Sequence, residues 1–177
     1  LDATSAGRRI QDFVINNLSN WYVRLCRRRF WKNVYGQEKI AAFQTLYECL
    51  LVISKIASPI APFYCDVLYR DLITNGQKNY QSVHLDFWPK TNKLIIDKDL
   101  IKKMDVVQKI TSLALSLRKK LKIRVRQPLA SVSIISGTDV SLALDNELLD
   151  LLKLELNVKS VNFVTQSSSF VEKKLSP

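Results

Sequence analysis

Apolar residues through the first 120 positions recur at helical spacing, and this restricts the fold more than any other feature. Ile10, Val14, Leu18, Trp21 and Leu25 step by three or four, the repeat that lines one face of an α-helix. Asp2 or Thr4 is placed to cap that helix, and Gly36 lies beyond its end. A second helix is expected from near Glu38, nearly apolar all round through "LLVISKIA", hence central to a bundle and ending before Ser58-Pro59. A third opens at "PIAPF", where proline is tolerated in a first turn, and stops at Asn75-Gly76. The mixed connector Gln77 to Ile96 contains "SVHLDFWP". Asp97 can cap a fourth helix whose stripe is Leu100, Met104, Val107, Ala114, Leu117 and Leu121. Four helices of this kind predict a bundle.

At Pro128 the period shortens to two, with Leu129, Val132 and Ile134 alternating loosely with Ser131 and Ser133 before a turn at Gly137. A short helix over "LDNELLDLLKLEL" and a second strand, "VKSVNFV", predict a small β-α-β appendage with a right-handed crossover. "TQSSS" marks a linker. The expected organisation is therefore a mainly α chain: a helical bundle over 1–127, the appendage over 128–165 and a linker or truncated segment over 166–177. No repeat of solenoid period is visible. The chain opens "LDATSAGRR" and holds methionine only at Met104, which suggests a piece of a longer protein.

Composition then narrows function. At 47% apolar, 177 residues can bury one sizeable core. A net charge of +11 favours a polyanionic partner such as nucleic acid, and would also attract an anionic membrane surface. The longest aliphatic run is Leu50 to Ile53, against the roughly 20 residues a transmembrane helix needs, so no spanning segment is expected. The N-terminus does not read as a signal peptide. Cys26, Cys49 and Cys65 form an odd set without CxxC spacing or a nearby histidine, which argues against a zinc site or a disulfide framework and fits a reducing cytosol. They read as small hydrophobes on helices. His84 is the single histidine, so paired-histidine chemistry is excluded, and a structural role in the connector is expected for it. Four glycines provide neither GxGxxG nor GxxxxGK[ST]. This chain alone is not expected to be an enzyme.

"SNWYVRLCRRRFW", Ser19 to Trp31, sets four arginines and two tryptophans in thirteen residues. On a helix Asn20, Arg24, Arg27 and Trp31 fall at i, i+4, i+7 and i+11, one stripe beside the apolar stripe that ends with Trp21 and Leu25. Guanidinium planes hold phosphates or a base edge, an amide can pair with a base, and an indole stacks, so the chemistry suits single-stranded RNA. The alternative is a solvated basic face with Trp31 tucked against a neighbouring helix. Arg118, Lys119, Lys120, Lys122, Arg124 and Arg126 form a second basic cluster after the fourth helix. Cations there are favoured by the helix dipole, and six in nine residues exceed what the dipole needs, which suggests contact with a phosphate backbone.

"GRRIQDFVINNLSNWYVRLCRRRFW", "KIASPIAPFYCDVLYRDL", "SVHLDFWP" and "VRQPL" resemble the anticodon-binding helical bundle of the isoleucyl-tRNA synthetases, class I aminoacyl-tRNA synthetases, over nearly the whole chain. The related valyl and leucyl enzymes share this bundle, and "NWYVRLCRRRFW" looks like the isoleucyl branch. The resemblance implies an antiparallel helix bundle and a cytoplasmic parent enzyme, with ATP and Mg as its cofactors, that activates isoleucine, charges its tRNA and edits mischarged valine. The His-Ile-Gly-His and Lys-Met-Ser-Lys-Ser motifs of the catalytic half do not occur here, so this part should bind isoleucine-specific tRNA, with the rest of the synthetase as its other partner, and use no cofactor, DNA or membrane. In the similar methionyl enzymes the matching helix presents Asn-x-Tyr-Val and then Trp to the anticodon. Asn20, Tyr22, Val23 and Trp31 correspond in type, with Trp31 two residues further along. The candidate anticodon-binding residues are thus Asn20, Arg24, Arg27, Arg28 and Trp31, and the candidate phosphate-binding residues are Arg118, Lys119, Lys120, Lys122, Arg124 and Arg126. A non-catalytic protein-interaction scaffold and a basic module lying on anionic membranes remain as alternatives.

Overall fold

A computed structural model describes residues 2–31, 34–73, 82–91, 96–135 and 144–164. The described structure is mostly helical with one small parallel sheet, and contacts group the chain into two compact units, 1–91 and 92–177. The turns expected at Asn75-Gly76 and Gly137 and the linker at "TQSSS" lie outside the described residues.

The first unit opens with one uninterrupted helical segment made of α1 (Ala3–Asp12), a π-helical stretch (Phe13–Val23) and α2 (Arg24–Trp31). Asp2 caps it, its carboxylate accepting from the Ser5 N–H at 2.9 Å. The expected apolar stripe assumed 3.6 residues per turn, and the wider π turn shifts it. Leu18 and Cys26 are buried, and Tyr22 between them donates its hydroxyl to the Ala42 carbonyl at 2.9 Å, whereas Trp21 and Leu25 are only half-buried. Helix α3 (Gln37–Ala57) contacts α1, α2 and the following α4 (Pro62–Ile73), which makes it the centre of this unit. Small side chains sit where the helices meet: Ala42 at 2% exposure, Ser54 at 0% and Cys65 at 2%. By length and composition alone α3 could cross a membrane, which the aliphatic run Leu50 to Ile53 had not suggested. Only 11% of this stretch is buried, and Ile40, Phe43, Tyr47 and Val52 are exposed on it.

"SVHLDFWP" folds back over α3 and α4. Asp66 accepts from the Ser82 hydroxyl at 2.7 Å and the Val83 N–H at 2.9 Å, and also pairs with Arg70. Asp86 accepts from the Tyr69 hydroxyl at 2.5 Å and is paired with Lys55 at 2.7 Å. Hydrogen bonds from Lys55 and Tyr69 hold the Asp86 carboxyl down at about 2, and burial, with Asp86 alongside, pushes the Tyr69 phenol up to about 12. His84 is exposed.

In the second unit Asp97 caps α5 (Lys98–Lys120), accepting from the N–H groups of Asp99 at 3.0 Å and Leu100 at 2.9 Å. Strand β1 (Leu129–Ile135), helix α6 (Asn146–Leu156) and strand β2 (Val158–Val164) form the expected β-α-β appendage, with the strands parallel and Leu129 opposite Val158, Val132 opposite Val161 and Ile135 opposite Val164. Leu148, Leu152, Leu156 and Val158 are buried together with Val107 and Thr111 of α5. Contacts therefore group 92–127 with the appendage, since α5 covers the apolar face of α6. On α5 the buried positions are Val107, Thr111 and Arg118, while Leu100, Leu117 and Leu121 of the expected stripe are exposed. Cys26 and Cys65 are buried and Cys49 half-buried, all as free thiols, and burial pushes the thiols of Cys49 and Cys65 up.

Candidate nucleic-acid interface

The segment 19–31 divides its side chains between packing and solvent. On the packed side Leu18 and Cys26 are buried, Tyr22 holds the α3 backbone, and the Phe30 ring meets Phe43 of α3 at 4.9 Å between centroids, tilted by 49°. Burial is the main reason the Tyr22 phenol is pushed up. On the other side Asn20, Arg24, Arg27, Arg28 and Trp31 are all exposed, and Trp31 is 77% so. The Arg24 guanidinium lies 5.5 Å from the Trp21 ring centroid, a cation–π contact that leaves the indole of Trp31 uncovered. An exposed indole, exposed guanidinium groups and an exposed amide spread along one helical segment offer stacking and hydrogen bonding to unpaired bases.

The second basic cluster is not uniform. Lys119, Lys120, Lys122, Arg124 and Arg126 are exposed, and Lys122 takes a left-handed backbone at φ 56°. Arg118 differs: it is 5% exposed, and its guanidinium donates to the carbonyls of Arg124 at 3.1 Å, Gln127 at 3.0 Å, Leu156 at 2.6 Å and Asn157 at 3.3 Å. Its expected place among the phosphate contacts is corrected accordingly. Its donors are already committed to backbone oxygens, and a buried guanidinium needs those partners.

Residues 1–134 match the family described as the anticodon-binding domain of tRNA ligase. The chain belongs to this family. It is 46% identical over 177 residues to isoleucine–tRNA ligase of Cytophaga hutchinsonii, covering 99% of this chain and 16% of that protein. Isoleucine–tRNA ligase of Bacteroides fragilis is 46% identical over 98% of the chain, and that of Clostridium tetani 39% identical over 98%, with 15% and 16% of those proteins covered. The chain thus spans about a sixth of the length of these relatives. The resemblance read from the sequence is the one these comparisons find.

Within this anticodon-binding domain the Asn-x-Tyr-Val pattern splits in two. Asn20 is exposed, whereas Tyr22 and Val23 are half-buried and the Tyr22 hydroxyl donates to the Ala42 carbonyl, which ties this helix to α3. Two features were missed by the sequence reading. Tyr35, Ile40, Phe43, Gln44 and Tyr47 line an open hollow of about 560 Å³, with the Lys39 ammonium 4.1 Å from the Tyr35 ring centroid. Asn157 ends α6 in the left-handed conformation at φ 50°, and its amide donates to the carbonyls of Val125 at 3.1 Å and Arg126 at 3.0 Å. An asparagine directly after a helical leucine repeat is the signal that could have revealed that cap.

Proposed function

We propose that this anticodon-binding domain is the tRNA-recognition module of a cytoplasmic isoleucine–tRNA ligase, a parent enzyme that attaches isoleucine to its tRNA using ATP and Mg. In this reading Asn20, Arg24, Arg27, Arg28 and Trp31 meet the anticodon bases, while Lys119, Lys120, Lys122, Arg124 and Arg126 hold backbone phosphates. The rest of the ligase supplies the chemistry, and this chain alone binds without charging. The observation that carries the reading is the 77% exposure of Trp31 on the same helical segment as exposed Asn20, Arg24, Arg27 and Arg28, with Leu18 and Cys26 of that segment buried. A protein-interaction scaffold could use the same indole and guanidinium groups, and the match of residues 1–134 to an anticodon-binding family is what favours RNA over a protein partner. For the helices of residues 2–73 we propose the antiparallel arrangement of class I anticodon-binding domains, in keeping with their short connections. The appendage is taken to begin at Pro128 and to extend to about residue 165.

The test is a binding comparison of the 177-residue chain with isoleucine tRNA, valine tRNA, leucine tRNA, an unrelated tRNA and vesicles of anionic lipid. Preference for isoleucine tRNA supports the proposal. Preference for valine or leucine tRNA would move the chain to a sister enzyme. Equal affinity for every tRNA, or tighter binding to vesicles, would overturn it.

A further inference from the structure

Arg118, in the last turn of α5, and Asn157, the C-cap of α6, converge on one turn. Arg118 takes the carbonyls of Arg124 and Gln127, and Asn157 takes those of Val125 and Arg126, so four successive carbonyls are each occupied by a side-chain donor. The two anchors are themselves joined. Arg118 also binds the carbonyls of Leu156 and Asn157, and the Asn157 carbonyl accepts the Leu129 N–H at 3.1 Å, where β1 begins. The turn is closed at its start by the Ile123 N–H bonding to the Arg118 carbonyl at 2.9 Å, and across its middle by the Gln127 N–H bonding to the Arg124 carbonyl at 3.0 Å. Among the described residues no acceptor takes the N–H of Arg124, Val125 or Arg126. The negative ends of the peptide dipoles are thus occupied from within, and Lys122, Arg124 and Arg126 remain exposed. A carbonyl left facing solvent among these cations would repel a phosphate. Backbone N–H groups and guanidinium groups attract one.

We propose that the α/β appendage is a scaffold for a phosphate-binding turn: Arg118 and Asn157 are positioning residues that hold the carbonyls of 124–127 inward and so present Lys122, Arg124 and Arg126 to RNA phosphate. The inference rests on the phosphate role assigned above to this cluster. It goes further by assigning a purpose to the β-α-β unit and to two residues that need not touch RNA. Both anchors flank the sheet, Arg118 before β1 and Asn157 before β2, so folding of the appendage and shaping of the turn are one event.

The test uses the 177-residue chain and its affinity for isoleucine tRNA and an unrelated tRNA at several salt concentrations. Asn157→Gly suits the left-handed backbone, removes the amide and leaves the net charge unchanged. It should keep the helical circular dichroism, weaken both tRNAs about fivefold to tenfold alike, and flatten the salt dependence because fewer phosphates are engaged. Asn157→Asp, which tolerates the same backbone, cannot donate and adds a negative charge beside the cations, should weaken both tRNAs at least as much. The triple variant Lys122→Gln, Arg124→Gln, Arg126→Gln reports on the phosphate role itself and should weaken binding at least as much. If the triple variant weakens binding while folded Asn157→Gly binds like the parent chain, the positioning role is overturned and the phosphate role stands. If the triple variant binds normally, both fall. In the unmodified chain, amide exchange at residues 123–127 should slow when tRNA binds, and exchange unaffected by tRNA would overturn the proposal whatever the variants do.

Discussion

Removing the Trp31 indole should cost binding far more than it costs stability. With 77% of the residue exposed, roughly a quarter of its surface is covered. On a side chain of at most about 250 Å², that is about 60 Å², or about 1.5 kcal/mol at 25 cal/mol per Å². The figure is an upper bound, because the unfolded chain already covers some of this surface, and alanine returns up to about 0.7 kcal/mol of helix propensity. Trp31→Ala should therefore destabilise by about 1 kcal/mol, a drop of about 4 to 8 °C in the Tm of the unit formed by residues 1–91, against about 3 to 5 kcal/mol for a core tryptophan. A lost stacking platform is worth about 1 to 3 kcal/mol, so affinity for isoleucine tRNA should fall roughly fivefold to a hundredfold. Thermal unfolding followed by circular dichroism and a fluorescence titration with labelled tRNA measure the two losses on the same sample. A Tm lowered by more than about 10 °C would show that Trp31 is structural, and unchanged affinity in a stable variant would refute the stacking role.

Gly7→Ala should stabilise the first unit by about 0.5 to 1 kcal/mol, because glycine inside a helix is costly and the new Cβ would lie 3.7 Å from Ile60 Cδ1, an ordinary contact; a fall in stability on denaturant titration would contradict this. Asp86, held at about 2 against an ordinary value of 3.8, contributes stability in full above about pH 4 and loses it as pH falls through about 2. The stability gap between the parent chain and Asp86→Asn should therefore narrow between pH 6 and pH 2, and a constant gap would show that the carboxylate is not held as described. With five exposed cations at 119–126, affinity for tRNA should drop at least about a hundredfold between about 50 and 200 mM salt, and a flat response would remove phosphate contact as the main source of affinity.

Helix positions were legible because the apolar spacing is strong: the caps at Asp2 and Asp97, the break at Ser58-Pro59 and the strand "VKSVNFV" were all readable from local chemistry. The π-helical turn was not, since nothing in "FVINNLSNWYV" announces a change of pitch, and the buried positions are Leu18 and Cys26, with Trp21, Tyr22 and Leu25 all half-buried. Arg118 shows the limit of reading charge as surface. In sequence it is one of six cations, and only the convergence of carbonyls from residues 124, 127, 156 and 157 makes it an interior residue. The sequence of "SVHLDFWP" does not itself show what holds it in place. Its anchors, Asp66, Tyr69 and Lys55, lie 13 or more residues away in sequence, and such long-range partners leave no local periodicity.

The central claim is that the exposed stripe of 20–31 reads anticodon bases. It is tested most directly by measuring the affinity of the unmodified chain for isoleucine tRNA and for the same tRNA with its anticodon replaced, at one salt concentration. Phosphates are identical in the two molecules, so only base contacts can separate them. Base contacts worth about 1 to 3 kcal/mol predict that the exchanged anticodon weakens binding by at least about fivefold. Equal affinities would contradict the account.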